Sequence, residues 1–190
     1  MIIFLYPVIT RVPETIKALK GSKKVSALSQ FARKSARASS LKSKLFVDVF
    51  EKDDSGVPIP SDGIFWSVSH KLDFVAGVVS TKKIGIDIEQ VKDVSDALFE
   101  RIVDPKERRL FGSQDRSFVF FRSFTAKEAV VKNTTDGIKG LSKAKIEEIV
   151  DEKNLIVQCL GQKYLVENFY LDGYLASVTK DHFDVQWAIE

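Results

Sequence analysis

An α+β fold is what this sequence predicts, with helices and short strands segregated along the chain. Three observations carry the prediction. Residues 23–45 show apolar positions at helical spacing, two blocks of short β-branched and aromatic runs occupy residues 64–89 and 155–189, and a helix-patterned stretch lies between those blocks.

Taken in order, Met1-Ile2-Ile3-Phe4-Leu5-Tyr6-Pro7-Val8-Ile9 reads as an edge or first strand. It lacks the basic region and small-residue cleavage site of a signal peptide. Val25, Leu28, Phe31, Ala32, Ala36, Leu41 and Leu45, with Lys and Arg between them, predict a basic amphipathic helix. Asp53-Asp54-Ser55-Gly56 is a turn signal, and Pro58 and Pro60 hold an extended loop. Strands are predicted at 64–66, 74–79 and 84–89, with Ser67-Val68-Ser69-His70 expected where a strand runs out into a loop.

Ser95 is positioned to cap a helix over 96–103, and Asp104-Pro105 supplies the N-cap and first position of another. Residues 114–133 hold Phe118, Phe121, Phe124, Ala129 and Val131 without internal Gly or Pro, which predicts a longer helix ending near Asp136-Gly137. Strands follow at 155–160, 163–170, 174–179 and 185–189, joined by turns at Gly161 and Asp172-Gly173. Phe74-Val75-Ala76-Gly77-Val78 is echoed by Tyr174-Leu175-Ala176-Ser177-Val178, a match short enough to arise by chance or from duplicated halves.

The 190 residues suit a single body, and 44% hydrophobic content can supply its core. Fourteen Phe against one Met favour a rigid interior over an adaptable surface. Cys159 is the only cysteine, which excludes an intramolecular disulfide and a cysteine metal cage. No apolar run reaches the ~20 residues of a membrane span, so the expectation is a soluble cytoplasmic protein without a membrane role. The net charge of +3 conceals an asymmetry: residues 1–44 hold ten Lys and Arg against Glu14, a net +9, leaving −6 in the rest. That surface suits a nucleic acid, a phosphorylated small molecule or an acidic protein, or is a solvated helix face.

Three groups could carry chemistry. Asp87 and Glu89 share one face of a strand while Ile86 and Ile88 turn to the core; two adjacent carboxylates suit Mg²⁺, or form a charged outer face. Glu128 and Lys132 lie at i and i+4, as an ion pair or as a metal ligand beside a phosphate-neutralising cation. Ser69 and His70 suit phosphate binding better than a hydrolase triad or a zinc site. His182 reads as a surface residue.

The order of these pieces resembles the 4′-phosphopantetheinyl transferases of the larger, monomeric, surfactin-synthetase-activating kind. The residues that carry the likeness are Gly56-Val57-Pro58, Phe65-Trp66-Ser67-Val68-Ser69-His70, Ile84-Gly85-Ile86-Asp87-Ile88-Glu89 and Phe124-Thr125-Ala126-Lys127-Glu128-Ala129-Val130-Val131-Lys132. Gly140-Leu141-Ser142 and Gly173-Tyr174-Leu175-Ala176-Ser177-Val178 extend it. The resemblance implies one domain built as a pseudo-dimer of two halves, roughly 1–92 and 93–190. Each half is a small antiparallel sheet packed with helix, and the active site lies at their seam.

It further implies Mg²⁺-dependent transfer of 4′-phosphopantetheine from coenzyme A to a serine of an acyl or peptidyl carrier protein, releasing adenosine 3′,5′-bisphosphate. Asp87, Glu89 and Glu128 would hold the metal, Glu128 would be the candidate base, and Lys132 would neutralise the pyrophosphate. Ser69 and His70 would contact a coenzyme A phosphate, Pro58 would line the adenine site, and Lys24 and Arg33, with Arg37 a competitor, would approach the 3′-phosphate. The working species would be a monomer that takes no nucleic acid.

The chain departs from the family where Val57 replaces a usual Lys or Arg, Ser67 a common Asn, and Lys71 a Ser or Thr. Two other functions fit the same residues: another Mg²⁺-dependent phosphoryl transferase, or a non-catalytic carrier-binding module with a degenerate site.

Overall fold

A computed structural model describes residues 4–135 and 138–190. Residues 1–3 of the expected first strand, and Asp136-Gly137 at the expected end of the long helix, lie outside the described residues. The remainder of the first apolar run forms two strands, β1 (Phe4–Leu5) and β2 (Val8–Arg11). Pro7 divides them because it has no N–H to give a ladder. A single turn, α1 (Glu14–Lys17), follows Pro13 and was not foreseen. Then comes α2 (Gly21–Ser43), ended by Lys44 in the left-handed region.

β3 (Phe65–His70), β4 (Phe74–Ser80) and β5 (Ile86–Gln90) form the first strand block. The expectation that Ser67 to His70 leave the strand is corrected, since His70 still pairs with Val75 of β4. The polar residues are tolerated there because β5 satisfies them: Ile86 N–H donates to Ser67 Oγ at 3.1 Å and Ser69 Oγ donates to Asp87 Oδ1 at 2.8 Å.

Ser95 caps α3 (Asp96–Ile102), and Asp104 with Glu107 forms a capping box on α4 (Pro105–Leu110). α5 (Arg116–Thr134) starts two residues later than expected, because Asp115 takes the N-cap by accepting from Phe118 N–H. A 3₁₀ turn (Ile138–Lys143) leads to β6 (Lys145–Ile149), β7 (Asn154–Cys159), β8 (Gln162–Leu171) and β9 (Tyr174–Thr179). β6 escaped the sequence reading because its register shifts between Ile146 and Glu148, which breaks the period-2 pattern. The last expected strand divides into β10 (Asp184–Val185) and β11 (Ala188–Ile189).

These strands build mainly antiparallel sheets against helices. One has the order β11-β2-β4-β3, another β5-β9-β8-β7-β6, and β1 pairs with β10. The α+β class therefore holds. β5, although early in the chain, hydrogen-bonds to β9, while β10 and β11 return to pair in parallel with β1 and β2.

The two larger sheets share a core in which Phe74, Ala76 and Val78 of β4 meet Ile86 and Ile88 of β5 and Tyr174, Ala176 and Val178 of β9. The two echoed segments thus meet in one core, with the Phe74 and Tyr174 rings edge to face at 5.0 Å. On the other face of β4, Val75 and Val79 pack with Leu28, Ala32 and Ala36 of α2. α5 covers the second sheet, with Val119, Phe120, Phe121, Ala126 and Val130 against Leu155, Val157 and Val166. Among the described residues no helix is long and apolar enough to cross a membrane.

Candidate active site

Alternation along β5 sends Ile86 and Ile88 into the shared core and leaves Gly85, Asp87 and Glu89 on the side of α5. Gly85 decides how near the helix comes. A Cβ there would stand 1.8 Å from Ala129 O and 2.8 Å from Asn133 N, so only glycine permits this approach. Ala129 and Asn133 are the immediate neighbours of Glu128 and Lys132, and the helix therefore carries that pair across to the carboxylate face of β5.

Asp87 is 5% exposed. Its Oδ1 accepts from Ser69 Oγ and from Lys132 Nζ, each at 2.8 Å, while its Oδ2 is buried without a hydrogen-bond partner. Lys132 Nζ also donates to Ile86 O at 3.0 Å. Glu89 Oε1 is 2.7 Å from Lys71 Nζ. Glu128, half-buried, has no hydrogen-bond or ion-pair partner among the described residues.

Burial above all, then the negative charge of Asp87, raises the pKa of both Glu128 and Glu89; Lys132 and Lys71 oppose the rise. Burial, followed by the charges of Lys132, Lys71 and Lys52, holds the His70 imidazole below its ordinary value, which keeps it neutral at pH 7. A neutral imidazole still donates one hydrogen bond to a phosphate oxygen.

The structure brings together Ser69, His70, Asp87, Glu89, Glu128 and Lys132. Arg33 of α2 donates from Nε to Phe50 O at 2.9 Å and from Nη1 to Ser29 O at 2.7 Å. Pro58 pairs with Lys52 in an isolated bridge, and Trp66 Nε1 donates to Ile59 O, which ties that loop to β3. Arg37 is exposed and donates to Asp48 O at 3.1 Å. Lys24 stands nine residues before Arg33, about 13 Å along the helix.

Sequence reasoning missed two cations. Burial and the charges of Arg33 and Lys132 lower the pKa of Lys52, so Lys52 stands in the same positive field. Lys71 was visible only as a departure beside His70, and nothing in the sequence pointed to Lys52.

As the side chains stand, no three His, Cys, Asp or Glu among the described residues close on one metal position. Lysines occupy two of the carboxylates instead. The donor set nevertheless fits Mg²⁺: Asp87 Oδ2 is an orphaned buried oxygen, Glu128 is unpaired among the described residues, and all donors are hard carboxylate oxygens. A cavity of about 720 Å³ lined by Lys82, Asn133, Tyr164, Lys180 and Phe183 contains none of these carboxylates.

Carboxylates, lysines and a neutral histidine on one strand–helix seam make up a centre suited to a phosphorylated ligand on an α+β scaffold. Residues 83–179, just over half of the chain and spanning β5 through β9 with α5, match the model of the 4′-phosphopantetheinyl transferase superfamily. The chain belongs to that superfamily. It is similar to the 4′-phosphopantetheinyl transferase HetI of Nostoc sp., with 36% identity over 111 residues, covering 53% of this chain and 45% of the relative. The 4′-phosphopantetheinyl transferase psf-1 of Bacillus pumilus is 36% identical over 102 residues, 50% of this chain and 43% of the relative. Enterobactin synthase component D of Salmonella typhi is 31% identical over 102 residues, 50% of this chain and 44% of the relative. The matches thus span less than half the length of these curated relatives.

Proposed function

We propose that this chain transfers 4′-phosphopantetheine from coenzyme A to a serine hydroxyl of an acyl or peptidyl carrier protein. The observation that carries the reading is Asp87, buried between Ser69 and Lys132 with one oxygen unsatisfied, in the same charge cluster as Glu128, which has no partner among the described residues. Family membership supports the same reaction.

In this reading Glu128 accepts the proton of the carrier serine as the serine oxygen bonds to phosphorus. The pyrophosphate P–O bond breaks, and adenosine 3′,5′-bisphosphate leaves. Lys132, fixed by Asp87 and Ile86 O, presents a cation to the pyrophosphate, and Ser69 and His70 donate to phosphate oxygens. Asp87, Glu89 and Glu128 would hold Mg²⁺, whose chemistry when bound is to withdraw charge from the pyrophosphate. Pro58 lines the adenine side, and Arg33 and Lys24 offer positive charge to the 3′-phosphate. Residues 1–190 act as one body in two halves, with the site where β3 of the first sheet meets β5 of the second.

The test is the intact mass of apo carrier proteins after incubation with this protein, coenzyme A and Mg²⁺. A gain of one phosphopantetheinyl group is the expected result. No gain on any acyl or peptidyl carrier refutes the assignment.

A further inference from the structure

Glu89 is not an open carboxylate. Lys71 Nζ lies 2.7 Å from its Oε1, and the two side chains are 38% and 16% exposed. Lys71 follows β3 directly, and its backbone N–H donates to Phe74 O at 2.8 Å, so the β3–β4 turn fixes where the long side chain begins. Across the same face Lys132 Nζ holds Asp87 Oδ1 at 2.8 Å. Each carboxylate of β5 therefore carries a tethered ammonium, and Glu128 alone of the three has none among the described residues.

The two lysines differ in what else they do. Lys132 is also bonded to Ile86 O, so it keeps a partner if it gives up Asp87. Lys71 has Glu89 as its one side-chain partner among the described residues. A divalent ion that binds Glu89 meets a carboxylate whose Oε1 Lys71 already holds, and until Lys71 moves the two cations repel at short range. Lys71 is exposed enough to swing into water without disturbing the core.

We propose that Lys71 is an internal competitor for Glu89 that weakens divalent-metal binding at this site, so that the site fills only at higher metal concentration than its three carboxylates would otherwise require. The proposal rests on the reading that Asp87, Glu89 and Glu128 hold a metal. It makes Lys71 a positioning residue, acting through Glu89. Neutralising it removes a like charge and frees a ligand at once, and both effects have the same sign.

The experiment is calorimetric titration of Mn²⁺ into metal-stripped protein at pH 7 and low salt, with free Mn²⁺ followed in parallel by electron paramagnetic resonance. Wild type, Lys71→Met and Lys71→Arg are compared, and thermal melts in chelator confirm that each is folded. Lys71→Met is expected to tighten Mn²⁺ binding by about tenfold, through loss of one adjacent positive charge. Lys71→Arg, which keeps the charge, is expected not to tighten it. Saturable binding that is no tighter in Lys71→Met overturns the proposal and leaves the metal site standing. Equal tightening in both variants overturns it too, because the charge is then not the cause. Absence of saturable Mn²⁺ binding in all three proteins refutes the metal site itself, and the proposal with it.

Discussion

Lys127→Met tests the packing that holds α5 against α3, α4 and β6. Lys127 and Glu107 are each 2% exposed at the side chain, and Nζ lies 2.7 Å from Oε1 and 2.9 Å from Oε2. Nζ also donates to Ile102 O at 2.6 Å. Glu107 accepts from Ile146 N–H at 2.6 Å and Asp104 N–H at 2.9 Å, so this pair ties α5 to α3, α4 and β6. Removing one partner of a buried pair costs about 3–5 kcal/mol, because the other charge remains out of water. Glu107 keeps two backbone donors, which places the expected loss near the lower end, about 3 kcal/mol. For a chain of this size that is a fall of roughly 6–12 °C in melting temperature. Adding Glu107→Gln should recover half or more of the loss, since the neutral amide keeps an acceptor for Ile146 N–H and removes the stranded charge. The assay is thermal and urea unfolding of the two single variants and the double variant at pH 7. A loss under about 1 kcal/mol in Lys127→Met would refute the reasoning, because it would mean that water reaches Glu107.

Glu128→Gln should abolish carrier modification while leaving the metal-free protein at least as stable as wild type at pH 7. A carboxyl whose pKa is raised by folding contributes stability below its unfolded value, and that contribution is lost as pH rises through the folded value. The advantage of the variant should therefore shrink as the pH is lowered into the ordinary carboxylate range; melts in chelator across pH check this, and a lower melting temperature at pH 7 counts against a half-buried Glu128 without a partner among the described residues. Gly85→Ala should cost about 3 kcal/mol and most of the activity, because the new methyl collides with Ala129 O and pushes α5 from β5. An unfolding midpoint unchanged from wild type would deny that close approach. Excess chelator should stop carrier modification and added Mg²⁺ restore it, and full activity in chelator would remove the metal from the reading.

Much of the local order could be read along the chain. The spacing of Leu28, Ala32 and Ala36 marked α2, Ser95 and Asp104 marked two helix starts, and the alternation of Ile86 and Ile88 with Asp87 and Glu89 set which side chains share a face. Backbone sterics and neighbours within one turn or one strand repeat control these features, and both are written in adjacent residues. The resemblance named the same carboxylates before any geometry was known.

Contacts between distant segments were beyond that reach. The closeness of α5 to β5 depends on Gly85 meeting Ala129 O, and the return of β10 and β11 to β1 and β2 joins the two chain ends. Glu128 and Lys132, an i,i+4 pair by spacing, do not pair with each other: Lys132 goes to Asp87, 45 residues away, and Lys71 claims Glu89. The period of a helix or strand assigns a side chain to a face, but its partner is whatever the packed sheets bring opposite. Burial, desolvation and pairing between remote charges arise only when the chain has closed on itself.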